Sequence, residues 1–359
     1  MKRELLLLQK FSEAHGVSGF EQEVREVLKS EWEGIGMLEA DKLGSIACRL
    51  GDSGPKVMIA AHMDEIGFMV QNISADGFIS IVPLGGWWAH NLLGQLVEIK
   101  TRTGRKIEGV IGSKPPHFLS ESQRNQVLPM DALFVDIGAK NRDQVEKELG
   151  VSLGDPIAPK VSFSEFDHSG RVMGKAFDNR AGLAAMVEVT KRLNKESLPN
   201  QLLATATVQE EVGIRGAKTA GAKWLPDCAI ILEGPPADDT PAFSPADSQG
   251  KLGGGVQIRL YDPTAITNPK LAQFVEELAK KSGIPYQLTV RKTGGTDAGA
   301  LHLVQEGVPC IVLGIPTRYI HAHRGVLEIE DYRHAIELTE LLIRSLDQSV
   351  VASFTDYLS

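Results

Sequence analysis

The sequence has few cysteines and none in a paired spacing. Its three cysteines, Cys48, Cys228 and Cys310, are odd in number, include no CxxC pair and lie in or beside apolar segments. We therefore expect buried free thiols, which are typical of a reducing compartment. This distribution argues against a small secreted fold that is held together by disulfides.

Long apolar runs and long basic runs are also lacking. The amino-terminal stretch MKRELLLLQKFSEAHG has four leucines before polar residues return, whereas a secretory signal needs about seven apolar residues and a membrane span about 18. We therefore predict a cytoplasmic protein with no membrane partner. The formal net charge is -8, and nucleic-acid phosphates would require clustered Lys and Arg, so we predict no nucleic-acid partner.

The first and last parts of the chain alternate strand-like apolar runs with helical periodicity. Residues 228–233 are a short apolar run, whereas residues 268–283 have helical spacing, with Pro near the start and Gly at the end. From about residue 71 to 162 the chain instead has short β-like pieces between Gly and Pro turns. The sequence therefore predicts an α/β domain in two parts, 1–70 and 163–359, with helices on both faces of a mostly parallel sheet. An inserted, mostly β domain is predicted at 71–162.

Several apolar runs finish in a residue that can bind a metal ion. Functional groups gather at strand ends in an α/β sheet. A single strand-end His or Asp is more often a solvated or capping residue, but several such endings in one sheet form a stronger pattern. The residues in question are His62, Asp64, Asp178, Glu210, Glu211, Glu233, His321 and His323.

These candidate donors are imidazoles and carboxylates, without thiolates. That combination favours zinc, cobalt or manganese over a structural cysteine site. The residues are spread over the whole chain, so the fold would have to assemble the site. His62 and Asp64 are two positions apart and face the same way on a regular strand. We therefore expect Asp64 to accept the second ring N–H of His62 and to fix its tautomer.

Motifs along essentially the full chain resemble one protein family. They are, in order, HMDEIGF, VPLGGW, LLGQLVEI, GSKPPHFL, DIGAK, GDPIAP, KAFDNRAG, VQEEVGIRGA, GGTDAGA and TRYIHAH. Together they resemble the tetrahedral (TET), or glutamyl-aminopeptidase-like, dinuclear metallopeptidases, some of which are labelled endoglucanases. The resemblance implies a phosphorylase/hydrolase-like mixed α/β sheet with helices on both faces, interrupted by an inserted PDZ-like β-barrel for dimerisation. It also implies homo-oligomers in which dimers build a tetrahedral dodecamer.

The resemblance further implies a role for each site residue. Asp178 would bridge two divalent ions, and Glu210 would be the general base for a metal-bridging hydroxide that acts as the nucleophile. Of the two histidines in YIHAH, His321 matches the family's ligand and His323 is the alternative. The implied metal ligands are His62, Asp178, Glu211, Glu233 and His321.

The reaction implied is that of a metallo-aminopeptidase, which removes N-terminal residues from short peptides with two zinc, cobalt or manganese ions per subunit. Glu233 departs from the family pattern, because aminopeptidases of this family often have Asp there, whereas related di-metal carboxypeptidases and deacylases have Glu. Those hydrolases stay open as an alternative, with a glycosidase or an inactive assembly protein ranked lower. A glycosidase uses two carboxylates that flank a sugar and would not need His62 or His321.

Two polar segments leave alternatives open. GGTDAGA, residues 294–300, lacks the Lys-Ser/Thr of a phosphate-binding loop, so we expect a Gly-rich turn at a helix start near the substrate. Thr296 and Asp297 would either line the substrate pocket or cap that helix. Asp238 and Asp239 are more simply a polar loop than metal ligands.

Overall fold

The structure is a computed structural model that describes residues 3–241, 243, 244, 246 and 248–358. Its strands are, in chain order, β1 (Met37–Ala40), β2 (Ile46–Leu50), β3 (Lys56–His62), β4 (Gly67–Ile73), β5 (Ile79–Leu84), β6 (Leu96–Lys100), β7 (Lys106–Gly112), β8 (Phe134–Asp136), β9 (Pro156–Pro159), β10 (Ser164–Glu165), β11 (Arg171–Gly174), β12 (Gln201–Thr207), β13 (Cys228–Glu233), β14 (Val256–Asp262), β15 (Ala265–Ile266), β16 (Tyr286–Val290), β17 (Cys310–Gly314), β18 (Thr317–Arg318) and β19 (Gly325–Glu328). Its α-helices are α1 (Arg3–Glu13), α2 (Gln22–Glu31), α3 (Glu121–Arg124), α4 (Phe177–Leu193), α5 (Arg215–Trp224), α6 (Pro269–Ser282), α7 (Ala298–Leu301), α8 (Ile329–Ser345) and α9 (Gln348–Ser353). A π-helix covers Gln144–Glu148, and short 3₁₀ turns cover Ala89–Asn91, Pro116–Phe118 and Met130–Ala132.

The largest sheet is mixed and has the strand order β1-β2-β12-β3-β13-β17-β14-β15, with β16 paired to β14. β3 pairs in parallel with β12 and β13, and β13 pairs in parallel with β17. The flanking strands β2 and β14 pair antiparallel with this parallel centre. Every residue of β13 is buried, as expected for a central strand that is covered on both faces. The predicted mixed α/β fold is confirmed, but the expectation of a mostly parallel sheet has to be corrected, because the outer strand pairs β1–β2, β2–β12, β14–β15 and β14–β17 are antiparallel.

Helices cover both faces of this sheet. α4 packs across β3 and β13 and against α1 and α8, and its residues 181–187 are all buried. On the opposite face α5 packs on β12, and α7 packs on β13 and β17. Polar side chains on the central strands can therefore reach a cavity only where the strands end. Each helix within the described residues is too short or too polar to cross a membrane.

Strands β4 to β9 form a closed antiparallel barrel with the order β4-β5-β8-β7-β6-β9. Buried and solvent-facing residues alternate along β7, which is the period expected of a strand with one face in a core. The barrel core includes Phe68, Val97 and Ile157, each fully buried. This confirms the predicted inserted β-barrel. The limits at 71 and 162 stay a prediction, and β4 spans the first of them.

A small sheet with the order β10-β11-β19-β18 lies beside the main one. β18 and β19 pair antiparallel, so residues 319–324 form the loop of a hairpin. This loop carries both histidines of the YIHAH motif. The three cysteines are buried and free, which agrees with the expectation from their spacing.

Candidate active site

His62 and Glu233 end adjacent parallel strands and meet at the same edge of the sheet. Ile231 of β13 is opposite Ala60 of β3, so the residues two positions further along, Glu233 and His62, are neighbours on the same face. The Nε2 atom of His62 lies 3.6 Å from Oε1 of Glu233. The parallel register therefore brings these two side chains together.

The ring of His62 is oriented by a backbone carbonyl. Its Nδ1 lies 3.0 Å from the carbonyl oxygen of Asp64. Because a carbonyl can only accept, Nδ1 carries the proton in the neutral ring and the Nε2 lone pair points the other way. That Nε2 lies 3.1 Å from Oδ1 of Asp178 and 4.0 Å from Oε2 of Glu210. The lone pair of His62 thus faces carboxylate oxygens.

Asp178 is held close to the end of β13 by its neighbours in the chain. Ala176 has a left-handed φ of 55°, and Asp178 has a non-helical backbone although it lies within α4. The Asn179 side chain donates to the carbonyl of Leu232 over 2.8 Å. A Cβ atom on Gly234 would lie 2.8 Å from Cα of Asp178, so only glycine permits this approach of the two segments.

His321 faces the same carboxylate from the other side. Its Nε2 lies 3.5 Å from Oδ2 of Asp178 and 3.4 Å from Oε2 of Glu211. Its Nδ1 lies 2.9 Å from the carbonyl oxygen of Gly86, which follows β5 of the barrel, so the Nε2 lone pair again points at carboxylates. The alternative ligand, His323, is buried against the ring of Trp87 at 5.4 Å between centroids. The structure therefore brings His321, and not His323, to the acidic cluster.

The paired glutamates follow β12 and are held by Asp64. Gln209 has a left-handed φ of 54°, which turns the chain after the strand ends. The backbone N–H groups of Glu210 and Glu211 then donate to Oδ1 and Oδ2 of Asp64 over 2.9 and 3.1 Å. The hydroxyl of Ser18 also donates to this carboxylate, over 2.6 Å.

Asp64 contacts His62 mainly through its backbone carbonyl oxygen and not, as expected, through its carboxylate. The Asp64 carboxylate is 3.6 Å from Nδ1 of His62, whereas the Asp64 carbonyl oxygen is at 3.0 Å. The expectation from spacing has to be corrected in this respect, because the turn after β12 uses the carboxylate. Asp64 therefore fixes the His62 tautomer through its backbone and the glutamate turn through its side chain.

Burial and mutual repulsion dominate the electrostatics of the cluster. Burial, and then the negative charge of Asp178, raises the pKa of Glu211 to about 8. Burial also raises the pKa of Glu210 well above its ordinary value. Burial opposes the charged form of His321, but the carboxylates of Asp178 and Glu211 outweigh it and raise the pKa of this ring to about 9. Such crowded carboxylates are favourable as anions only next to positive charge.

The donor atoms fit divalent cations. Each histidine presents a nitrogen lone pair to carboxylate oxygens. An imidazole lone pair and a carboxylate oxygen repel each other unless a proton or a metal cation lies between them. Asp178 takes part on both sides, with Oδ1 toward His62 and Oδ2 toward His321. Candidate metal-binding groups, whose donor atoms lie within 4.8 Å of one another, are His62, Asp178 and Glu233; Asp178, Glu211 and His321; and His62, Glu210 and Glu211.

The acidic cluster opens into a cavity of about 580 Å³. Arg259, Arg291, Thr264 and residues 293–295 also line this cavity. The segment GGTDAGA thus borders the cavity through its glycines. Whether Thr296 and Asp297 line the substrate pocket or cap α7 depends on the contacts of their own side chains.

Thr296 and Asp297 are not among the described residues that line the cavity. The Thr296 hydroxyl accepts from the N–H of Ala298 over 3.3 Å, at the start of α7. Asp297 instead accepts from the Thr207 hydroxyl over 2.5 Å. The capping alternative therefore describes Thr296 better than a direct contact with substrate.

Asp238 and Asp239 belong to a loop that two arginines hold. Asp238 Oδ2 lies 2.6 Å from Nη1 of Arg291, and Arg318 forms a two-pronged contact with Asp239, with both distances 2.6 Å. Both aspartates are therefore engaged by arginine, in agreement with their interpretation as a polar loop.

Sequence reasoning missed several residues that shape the site. The Gly86 carbonyl and the Asn179 amide orient His321 and Asp178, but no side-chain pattern marks a backbone acceptor or a local amide contact. Ser18 is far from Asp64 in the chain and carries no motif. Arg259 had a weak signal, because it is a charged residue in the middle of the strand VQIRLYD.

Comparisons with known proteins agree with this architecture over the whole chain. The family model described as M42 glutamyl aminopeptidase matches residues 44–338, and a second model, AMPT, matches residues 2–28. The glutamyl aminopeptidase of Lactococcus lactis is 37% identical, over 96% of this chain and 97% of that protein. The crystal structure of a TET aminopeptidase from Thaumarchaeota archaeon SCGC AB-539-E09 has a TM-score of 0.95 at 41% identity, covering 98% of this chain and 99% of that one.

A further solved structure concerns assembly. It is that of the Pyrococcus horikoshii TET1 peptidase, which can assemble into a tetrahedron or a large octahedral shell. Its TM-score is 0.86 at 32% identity, covering 96% of this chain and 100% of that one. Three observations indicate the same family: the match of the family model, the relatives that match along nearly their full length, and the geometry of the site. The chain belongs to the M42 glutamyl aminopeptidase family, and it is an aminopeptidase, a hydrolase of peptide bonds.

Proposed function

We propose that the protein uses two divalent metal ions to remove N-terminal residues from short peptides. The observation that carries this proposal is the environment of Asp178. Its Oδ1 lies 3.1 Å from Nε2 of His62, and its Oδ2 lies 3.5 Å from Nε2 of His321. Because backbone carbonyls fix both rings, both lone pairs point inward. Asp178 would therefore help to hold both ions, together with His62 on one side and His321 on the other.

The donor chemistry supports zinc, cobalt or manganese as the metal, because imidazole–carboxylate sites without thiolate accept all three. When bound, such ions would lower the pKa of a water molecule and polarise the scissile carbonyl. The residues proposed to hold them are His62, Asp178, Glu211, Glu233 and His321.

Glu210 is proposed as the general base. It lines the cavity beside the proposed ligands, and its side chain lies 4.0 Å from Nε2 of His62, so it is placed to accept a proton from a water molecule next to them. In the reaction Glu210 takes the proton of the attacking water and delivers it to the leaving amine. Asp64 positions it, since its carboxylate accepts the Glu210 N–H over 2.9 Å.

The volume of the cavity supports short peptides, and not folded proteins, as substrates. A volume of about 580 Å³ is in the usual range for small-molecule sites, which is about 300–1,000 Å³. The acidic cluster occupies one wall and leaves the remainder for the substrate side chain. We therefore propose that short peptides with a free N-terminus are the substrates.

We also propose that the protein is a cytoplasmic homo-oligomer in which the barrel, residues 71–162 of the predicted division, forms the dimer contact and dimers build a tetrahedral dodecamer. The assembly of the P. horikoshii TET1 peptidase supports this. Large apolar side chains on the barrel are exposed, which is typical of an interaction surface when they cluster. They include Trp88, Leu93, Phe118, Val127 and Leu153.

The experiment that tests the proposal replaces Glu210 by Gln. The amide keeps the shape but cannot accept the proton, so we expect kcat on aminoacyl p-nitroanilides to fall by about 10²–10⁴-fold, with metal content per chain unchanged. The matched control is Glu277→Gln on the exposed face of α6, which should retain the parental kcat. If Glu210→Gln cleaves at the parental rate, Glu210 is not the base.

A further inference from the structure

We propose that His323 is a positioning residue for His321, because its ring packs on Trp87 of the barrel and holds the hairpin loop of residues 319–324 there. The inference rests on the proposed two-ion function and gives a role to a histidine outside the proposed ligand set. Its consequence is that the His323–Trp87 contact determines the affinity for one of the two ions, the ion next to His321, and leaves the affinity for the other ion unchanged.

The two proposed metal sites are held in different ways. The His62 site consists of His62, Asp178 and Glu233, and the His321 site consists of Asp178, Glu211 and His321. His62 and Glu233 end the central strands β3 and β13, and their side chains are 2% and 6% exposed. The side chain of His321 is 38% exposed and belongs to a loop. The register of the sheet therefore holds the His62 site, whereas the His321 site depends on the contacts of the loop.

The backbone of the hairpin loop needs support from its surroundings. Tyr319 and His321 have φ angles of 62° and 53°, which lie in the left-handed region that residues with a side chain rarely adopt. Such a backbone persists only where neighbouring contacts stabilise it. The strand before the loop, β18, contributes only Thr317 and Arg318 to the pairing with β19. Contacts outside the hairpin therefore have to keep His321 in place.

Two histidines of the loop contact adjacent residues of the segment that follows β5. Nδ1 of His321 lies 2.9 Å from the carbonyl oxygen of Gly86. The ring of His323 lies against the ring of Trp87, with 5.4 Å between the centroids and 50° between the planes. Gly86 and Trp87 are consecutive in the chain. A contact that fixes Trp87 relative to the loop therefore also fixes the carbonyl that orients the ring of His321.

Trp87 is a firm support for this contact because the barrel holds it at two points. Its Nε1 donates to the carbonyl of Gly67 over 3.0 Å, and its ring stacks on Phe68 with 5.0 Å between the centroids. Phe68 is fully buried in the core of the barrel. His323 itself is only 2% exposed, so removal of its ring would leave a cavity between the loop and the barrel.

A third contact between the loop and the barrel is exposed to solvent. Nη1 of Arg324 donates to Oε1 of Gln95 over 3.0 Å, in a position where water competes for both groups. Such an exposed polar contact contributes little to the position of a loop. The contact of His323 is buried and involves two aromatic rings, which adds to the stabilisation that comes from burial alone. We therefore assign the positioning role to His323.

Zinc titration of the metal-free, full-length protein by isothermal titration calorimetry tests the role of His323. We expect the parent to bind two ions per chain. In His323→Ala one ion should bind with the parental affinity and the other about tenfold more weakly or worse, since the loss of an aromatic pair corresponds to about that factor. Anomalous diffraction at limiting zinc should place the retained ion at the His62 site. Activity on aminoacyl p-nitroanilides should fall at stoichiometric zinc and recover in excess zinc.

Three further variants separate packing from other roles of the imidazole. His323→Phe keeps a ring against Trp87 but has no nitrogen that binds a metal ion, so it should retain both ions. Trp87→Leu removes the other partner and should reproduce the loss without a change in the loop, and the double variant should lose no more than either single one. His90→Ala is the matched control, because His90 packs on the exposed Trp88 with 4.8 Å between the centroids. This control should bind both ions with the parental affinities.

Three results would overturn the role of His323. They are unchanged affinities in His323→Ala and Trp87→Leu, an equal loss of affinity at both sites, and a loss in His323→Phe as large as in His323→Ala, which would mean that the imidazole itself is required. In each case a parent that binds two zinc ions and cleaves aminoacyl p-nitroanilides leaves the proposed function intact. A parent that binds no zinc ion at the His62 and His321 sites contradicts the proposed function itself.

Discussion

Asp64 connects the parts of the site at the scale of single residues. Its carbonyl orients His62 over 3.0 Å, while its carboxylate accepts the N–H groups of Glu210 and Glu211. Asp64 thus fixes both the tautomer of His62 and the position of the paired glutamates. The sequence located Asp64 by its spacing from His62, but the division between carbonyl and carboxylate depends on the turn after β12, which spacing does not encode.

His15 is a second residue whose environment has a measurable consequence. It is 1% exposed, and neither ring nitrogen has a partner among the described residues. Burial, and then the positive charge of Lys175, lowers the pKa of His15 to about 3. In the unfolded chain a histidine titrates at about 6.5, so acid favours the unfolded state, which binds the proton more readily.

We therefore predict that His15 makes the protein lose stability as the pH falls from about 6.5 toward 3. At pH 5 the loss amounts to about 2 kcal/mol, and it is absent above pH 7. In His15→Asn the melting temperature should depend less on pH between 7 and 5 than in the parent, whereas the exposed His168→Asn should match the parent. Identical pH profiles for the parent and His15→Asn would contradict the prediction.

At the scale of elements, the close approach of β13 and α4 decides where the carboxylates lie. Gly234 follows β13 and has no Cβ atom to push Asp178 away. Asn179 ties the start of α4 to the carbonyl of Leu232. The helical periodicity of NRAGLAAMVEVTKRL predicted α4 itself, but the non-helical backbone at Asp178 and Asn179 depends on this tertiary contact and has no local signal.

We predict that Gly234→Ala weakens metal binding and activity together. The added methyl group would lie 2.7 Å from the carbonyl oxygen of Phe177, so the end of β13 has to move away from Asp178, at a cost of about 1–3 kcal/mol. Metal affinity by equilibrium dialysis and kcat should both fall. Gly112→Ala is the control, because its added methyl group meets the edge of the Phe134 ring at 3.1 Å in the barrel. Unchanged metal affinity in Gly234→Ala would contradict the prediction.

At the scale of the whole molecule, two differently built parts meet at His321. The hairpin loop after β18 belongs to the catalytic half, and the carbonyl that orients the ring belongs to Gly86, after β5 of the barrel. The alternation of strands and helices predicted the α/β part, and the change of texture near residue 71 predicted an inserted β part. Barrel closure and the strand order of the main sheet are long-range pairings, which periodicity along the chain cannot specify.

Because distant carboxylates converge at the candidate site, we expect the stability of the folded protein to depend on bound cations. Ions that bind the folded state and not the unfolded chain stabilise it, by about 3 kcal/mol at a hundredfold excess over Kd. We predict that EDTA lowers the melting temperature and abolishes activity, and that added zinc, cobalt or manganese restores both. In Asp178→Asn the chelator should have little further effect on the melting temperature. A parent whose melting temperature and activity are unaffected by EDTA would contradict the prediction.

The central claim is that His62, Asp178, Glu211, Glu233 and His321 hold two cations that share Asp178. Anomalous diffraction from crystals grown with zinc, recorded on both sides of the zinc absorption edge, tests it most directly. The account predicts two anomalous peaks per chain, one among His62, Asp178 and Glu233 and the other among Asp178, Glu211 and His321. A single peak, or peaks only at places away from Asp178, would contradict it.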